Sequence, residues 1–151
     1  MMARLLNIPP VWLALALVIA YFQARYVHFG LSLSHPIADM VAGLSIGAGV
    51  LLMALAVVEM RRHRTTVIPH READHLVTTG VFIWTRNPIY LGDAMVLLGF
   101  ILHWGAVLSL AILPIFVMAI DYGFIAPEED RLRRKFRSDF ERYMRDTRRW
   151  I

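Results

Sequence analysis

Residues 86–130 read RNPIYLGDAMVLLGFILHWGAVLSLAILPIFVMAIDYGFIAPEED. Two apolar runs meet at Trp104-Gly105, with Arg86 at one outer end and Glu128-Glu129-Asp130 at the other. Asn87 is placed as an N-cap and Pro88 takes the first helical position, where its missing N–H is one of the unpaired donors of any helix start. A helix is therefore predicted over 88–103. Trp104 and Gly105 make a tight turn into a second helix over 105–120, which Pro114 is expected to kink. Each run falls short of the roughly 20 residues that a straight bilayer crossing needs. The pair is a hairpin that crosses a thinned bilayer or dips partway, and in either case returns the chain to the side it left.

Upstream, an apolar helix is expected over 9–24, opened by Pro9-Pro10 and retained rather than cleaved, since no small-x-small site follows it. A loop with His28, Gly30, His35 and Pro36 leads to the clearest span, over 37–58, whose Gly43, Gly47 and Gly49 would let another helix come close. Residues 59–87 form a polar loop without helical period, punctuated by Pro69, Gly80 and Pro88 at its end. Downstream, a helix over 127–146 has Glu128, Glu129 and Asp130 in its first turn, where the helix dipole favours acids. Its Leu132, Phe136, Phe140 and Tyr143 make one apolar stripe, and Glu129–Arg133, Asp130–Arg134 and Glu141–Arg145 are spaced as supporting pairs. Such a helix suits the membrane surface or a position folded over the bundle.

Composition agrees. The chain is 58% hydrophobic with mean hydropathy +0.53, too apolar for an ordinary soluble domain of 151 residues. Of its 16 basic residues, five lie between Arg61 and Arg86 and nine between Arg131 and Arg149, a clustering that reads as cytoplasmic loops. The expectation is an all-α integral membrane protein, a single domain over 1–151 with about four transmembrane helices. The last two form the hairpin, an amphipathic helix lies at the cytoplasmic face, and both termini are cytoplasmic, in the inner membrane if the source is bacterial. Nucleic acid is not an expected partner, and the oligomeric state is open. With no cysteine, disulfides, thiolate metal sites and a cysteine nucleophile are excluded. His63, His70 and His75 show no metal-ligand spacing, so no metal is expected, and His103 is expected at the opposite interface.

Two features could carry chemistry. Arg86-Asn87-Pro88-Ile89-Tyr90-Leu91-Gly92 puts a guanidinium beside a helix N-terminus at the membrane surface, an arrangement suited to an anion. It is equally a positive-inside arginine, a cap and an interfacial tyrosine. Glu128-Glu129 complements a helix dipole, or holds a cation or a pair of hydroxyls. Because the hairpin returns on itself, the two features emerge on one face and could flank a single pocket. Asp93 and Asp121 lie in or at the ends of apolar helices, where a charge usually faces a cavity or a partner. Asp93 either points into that pocket or is solvated at the interface.

The order RNPIYLG, apolar hairpin, PEE-x-x-L-x-x-x-F-x-x-x-F-x-x-Y and a closing Arg148-Arg149-Trp150 resembles the isoprenylcysteine carboxyl methyltransferase family, whose relatives include the membrane phospholipid methyltransferases. Pro69-His70 and Leu76-Val77-Thr78-Thr79-Gly80 are similar to the lead-in of its short prokaryotic members, and the likeness covers roughly Thr65 to Ile151. It implies methyl transfer from S-adenosylmethionine to a lipophilic acceptor, by a site built from membrane helices. The acceptor would be an isoprenylcysteine-like carboxylate, a phospholipid amine or another lipid. Carried over by position, Arg86, Asn87, Pro88, Tyr90 and Gly92 would line the cofactor site, with Glu128 and Glu129 opposite and His75, Leu76, Val77 and Gly80 on the loop flank. Arg86, Asp93 and Glu129 are the residues expected to serve catalysis; an amine acceptor would also need a base, for which Asp93, Glu128 or a loop histidine is a candidate. The chain departs from the family pattern at Asp93, at Phe140, at Arg137 where a glycine is usual, and in lacking an arginine within 122–126. A non-catalytic membrane protein that binds a ligand or an assembly partner on the same scaffold is the reading from another class. A nicotinamide-dependent membrane reductase is a third, for which no second phosphate site is visible.

Overall fold

The computed structural model describes residues 8–27, 35–65 and 75–151. They fold into five α-helices: α1 (Pro9–Tyr26), α2 (Pro36–Arg62), α3 (Pro88–His103), α4 (Ile112–Ile120) and α5 (Ala126–Asp146). Three short irregular helical pieces join them, at Gly80–Ile83 and Val107–Ala111 (both 3-10) and Asp121–Ile125 (π). Two continuous helical stretches, Pro36–Arg62 and Val107–Asp146, are long and apolar enough to cross a membrane. Large apolar side chains stay exposed along α1, α2 and α4, including Leu15, Phe22, Leu44, Leu51, Ile115 and Met118. In water so broad an apolar surface would drive association, whereas against lipid it costs nothing.

The tightest packing is between α2 and α3, and small residues permit it. A Cβ on Gly49 would lie 2.7 Å from the Gly92 carbonyl, and one on Gly92 would lie 2.5 Å from Met53 Cγ. One turn or two further on, Gly99 packs in the same way against Ala42 and Ile46. The Ser45 hydroxyl donates to the Met95 carbonyl at 2.7 Å across the same seam, a polar bond of the kind that holds helices together where the hydrophobic effect is weak. Of the three α2 glycines expected at a helix contact, only Gly49 is there, since positions 43 and 47 face open space. On the other side of α3, Ala16 and Ala20 of α1 pack with Leu97, Ile101, Phe116 and Ile120. Gln23 ties α1 to the start of the α4 stretch through the Ser109 N–H and hydroxyl, at 3.1 and 2.9 Å.

The hairpin differs in detail from expectation. α3 ends as predicted, with Gly105 at φ +62 taking the left-handed position past the helix end while Ala106 N–H returns to the Ile101 carbonyl. The second arm begins with the 3-10 turn and becomes α-helical only at Ile112, so Pro114 falls in the first turn of α4, where it breaks no interior hydrogen bond. Nor does this arm stop near Ile120. It continues through the π turn at Asp121–Ile125 into α5. Pro127 is the physical reason: in a regular helix its ring would meet the carbonyl four residues back, and a wide turn relieves that clash.

α5 folds over the end of the bundle. Its Phe140 and Tyr143 are buried with Ala56 of α2 and with Val77, Val81 and Phe82 of the loop. Asp130 pairs with Arg133 at 3.6 Å rather than with Arg134, and Glu129 turns away from Arg133 altogether. Within α5 the backbone breaks at Arg137, at φ 44 and ψ −115, where glycine is the residue at ease. The kink lets the apolar stripe follow the loop.

Two stability outcomes follow from this packing. Arg137→Gly should raise unfolding stability by about 1 kcal/mol, because relieved backbone strain exceeds the added flexibility of glycine. Chemical denaturation in a mild detergent reads this directly, and a loss of stability contradicts the assigned backbone. Gly92→Leu should prevent α2 and α3 from closing and lower the melting temperature far more than Gly43→Leu, whose position is open.

Candidate functional site

The loop after residue 75 is fixed to the bundle at both ends before it reaches Arg86. At its start the Thr79 hydroxyl donates to Glu59 of α2 and meets His63 Nε2 at 2.8 Å. At its end, the tail beyond α5 lies alongside it. Arg86 N–H donates to the Arg148 carbonyl at 3.0 Å, and Tyr143 Oη donates to the Phe82 carbonyl at 2.7 Å. The Thr147 hydroxyl donates to the Ile83 carbonyl at 3.3 Å. Asn87 takes the N-cap position expected of it, its carbonyl accepting from Leu91 N–H at 3.0 Å, but its side chain makes no capping bond. Its amide Nδ2 instead donates to the Arg149 carbonyl at 2.9 Å, and its own N–H is satisfied by Thr85 Oγ1 at 3.1 Å. With Pro88 next in the chain, the capping duty is light and the side chain is released to hold the tail.

The hairpin brings its two outer ends together. Arg86 Nη2 lies 2.9 Å from Glu129 Oε1, with both side chains almost wholly buried. Arg86 Nη1 donates to the Met144 carbonyl at 3.2 Å. Arg149 meets the same carboxylate through Nε, at 3.3 Å from Oε1, and through Nη2 on Oε2. Its Nη1 reaches Asp121 at 3.0 Å. The result is a chain of alternating charge, Arg86–Glu129–Arg149–Asp121, joining the loop, α5, the tail and the π turn. Hydrogen bonding to Glu129, above all, holds the Arg149 proton more tightly than usual, so this residue stays cationic at any working pH.

Against this network lies a cavity of about 320 Å³, within the size range of small-molecule sites. Its walls include His75, Leu76 and Val77 from the loop, Arg86, Asn87, Pro88, Tyr90 and Asp93 from the start of α3, and Glu128 and Glu129 from α5. The Tyr90 hydroxyl lies against the Glu128 carboxylate. Asp93 is only 5% exposed. Ten of the twelve positions expected at a site thus meet around one space. Gly80 and Gly92 do not line it: Gly80 abuts Glu59, and Gly92 belongs to the α2–α3 seam. Pro69 and His70 lie outside the described residues.

Several contributors were not expected at a site. Met53 and Met60 carry no mark in the sequence pattern, and with Ile89, Leu132 and Phe140, which stood only as motif or stripe positions, they make the apolar part of the wall, while Ile8, Pro9 and Pro10 bring the start of α1 to it. Thr65, also on the wall, has a buried hydroxyl without a hydrogen-bond partner, as has Arg86 at Nε. Arg149 stood only as part of a closing Arg-Arg-Trp, and nothing in its spacing connects it to Glu129. Among the described residues, no group of three His, Asp or Glu side chains is placed to hold a metal ion.

Glu129 is less available than expected. Its oxygens are engaged by two guanidinium groups, whereas Glu128 stands beside Tyr90 at the cavity. Chemically, the arrangement offers a mostly apolar chamber with carboxylates on one side and a rigid Arg86-Asn87-Pro88 corner on the other. Removing one partner of a buried pair costs roughly 3–5 kcal/mol, so Arg86→Met should destabilise the fold by that order, and Glu129→Gln somewhat less because it keeps one acceptor. A double-mutant cycle read by thermal melting should give coupling above about 1 kcal/mol. Additive losses would show that the two side chains do not meet.

In comparison with known families, the chain matches the family model described as phospholipid methyltransferase over residues 37–139, more than half of its length. That stretch runs from α2 through the hairpin into α5 and contains both motifs. No curated protein and no solved structure matches the chain.

Proposed function

This chain belongs to the phospholipid methyltransferase family, and from that premise we propose that it transfers a methyl group from S-adenosylmethionine to a lipophilic acceptor embedded in the membrane. The observation that carries this reading is the meeting of Arg86 and Glu129 at 2.9 Å on the wall of one cavity. A single membrane domain with four crossings and both termini on the cytoplasmic side, in the inner membrane if the source is bacterial, is part of the proposal. That topology lets a water-soluble donor enter from the cytoplasm and an apolar acceptor from the bilayer.

The cavity suits the donor chemically. Carboxylates at Glu128 and Asp93 favour a group that carries positive charge, and the apolar wall of Met53, Ile89 and Leu132 suits a base or a hydrocarbon chain. When bound, S-adenosylmethionine supplies an activated methyl and its own leaving group, so the protein needs no nucleophile. What this chain's residues do is position and enclose. Arg86, locked to Glu129, fixes the corner at Asn87 and Pro88, and Tyr90 and Glu128 face the space from opposite elements. Water is excluded by the stripe of α5. His75, Leu76 and Val77 form the loop flank, and Gly80 and Gly92 act on the site only through packing.

Among acceptors, an isoprenylcysteine-like carboxylate needs no base, whereas a lipid amine must first lose a proton. Asp93, buried at the cavity wall, is placed to receive that proton, which favours the amine. A carboxylate acceptor would instead have to enter beside two carboxylates.

Purified protein incubated with methyl-labelled S-adenosylmethionine and a lipid extract should transfer label to a lipid of basic headgroup, identified by mass spectrometry. Asp93→Asn should reduce that transfer at least a hundredfold near neutral pH while leaving donor binding within a few fold. Label appearing on an acidic lipid, unaffected by Asp93→Asn, removes the amine reading. Donor binding without transfer to any lipid favours a non-catalytic ligand binder.

A further inference from the structure

We propose that Arg149, in the tail beyond α5, is a positioning residue of the donor site, acting through Glu129 to set the geometry of the cavity's acidic side. The inference rests on reading the cavity as the place where the donor binds. Arg149 does not itself line that cavity. It sits behind it.

The fork geometry carries the argument. A glutamate side chain has three rotatable bonds, and one ion pair leaves it free to pivot. Arg149 holds both carboxylate oxygens of Glu129, while Arg86 holds Oε1 from the other side. A carboxylate has about four acceptor positions. Three are filled by these N–H groups, and the position that remains is held in a fixed direction. The third arm of Arg149, on Asp121, balances the charge of two guanidinium groups around one carboxylate. Lysine could supply the charge but not the fork.

The backbone of the same residue fixes the other half of the site. Its carbonyl accepts from Asn87 Nδ2 at 2.9 Å and from Thr85 Oγ1 at 3.2 Å. One residue thus registers the acidic motif with its side chain and the Arg86-Asn87-Pro88 corner with its carbonyl. The position lies outside the stretch, residues 37–139, that matches the family model.

The test uses the full chain in lipid nanodiscs, with labelled-methyl initial rates measured against donor concentration for wild type, Arg149→Lys, Arg149→Met and Asp121→Asn. Melting temperature and near-ultraviolet circular dichroism give the folded fraction. Arg149→Met should raise the donor KM about tenfold with the acceptor KM unchanged, and Arg149→Lys should fall between it and wild type. If instead kcat falls in step with the folded fraction while the donor KM stays at its wild-type value, Arg149 only supports the fold and the proposal is overturned. Should neither Arg149 variant fold, Asp121→Asn decides. It keeps the fork and removes its counter-charge, and should raise the donor KM about threefold, so an unchanged value overturns the proposal. A wild-type protein that neither binds S-adenosylmethionine nor transfers its methyl group removes the donor reading itself, and the role of Arg149 with it; where it binds without transfer, the donor Kd replaces KM in every comparison.

Discussion

A single buried carboxylate, that of Glu129, organises the end of the molecule where the cavity lies. Glu129 takes Arg86 from the loop on one side and Arg149 from the tail on the other. Two guanidinium groups around one carboxylate would repel each other, and Asp121 removes that imbalance by taking the free arm of Arg149. Arg86 and Arg149 are far in sequence from each other and from the Asp121–Glu129 stretch, so the network closes only when hairpin, α5 and tail are all in place. Buried ion pairs rarely add much net stability over an apolar core, because desolvation offsets their attraction. Their use here is registry: they define how the loop, α5 and the tail meet at the cavity.

That registry needs a rigid base, and the α2–α3 seam provides it. Gly49 and Gly92 bring two backbones close enough that no side chain fits between them, and the Ser45 bond crosses the same contact. α3 therefore starts from a fixed position, with Arg86 just ahead of it. On the far arm, the π turn at Asp121–Ile125 lets one continuous helical stretch accommodate Pro127 and reorient toward the loop. The same irregular turn presents Asp121 to Arg149. A structural necessity at a proline is thus used as an electrostatic anchor.

The broad outline was legible in the sequence because it rests on local signals. Asn87-Pro88 marked the start of α3, Trp104-Gly105 its end, and the Leu132–Tyr143 stripe the buried face of α5. The return of the hairpin then implied that Arg86 and the glutamates share a face. What was not legible depends on contacts between distant segments. Nothing local tells that the side chain of Asn87, at the N-cap of α3, will bond the tail rather than an N–H of its own helix, or that Gly92 packs against Gly49 instead of a ligand. Glu129 and Arg133 had the spacing of a helical pair, yet the buried Arg86 of the loop and the half-buried Arg149 of the tail take its carboxylate instead of the exposed arginine four residues away. The departure from the family pattern at Arg137 did carry structural information, since the backbone there takes a conformation that suits glycine. The continuous passage from α4 to α5 was hidden because a proline followed by three acids reads as the start of a new helix.

The central claim is that the two motifs enclose one site for a charged methyl donor, and a calorimetric titration of the purified full chain with S-adenosylmethionine tests it most directly. The account predicts saturable binding at one site per chain, abolished by filling the cavity through Leu132→Trp while the melting temperature is held. No heat of binding from a protein that melts cooperatively, or binding indifferent to Leu132→Trp, would contradict it.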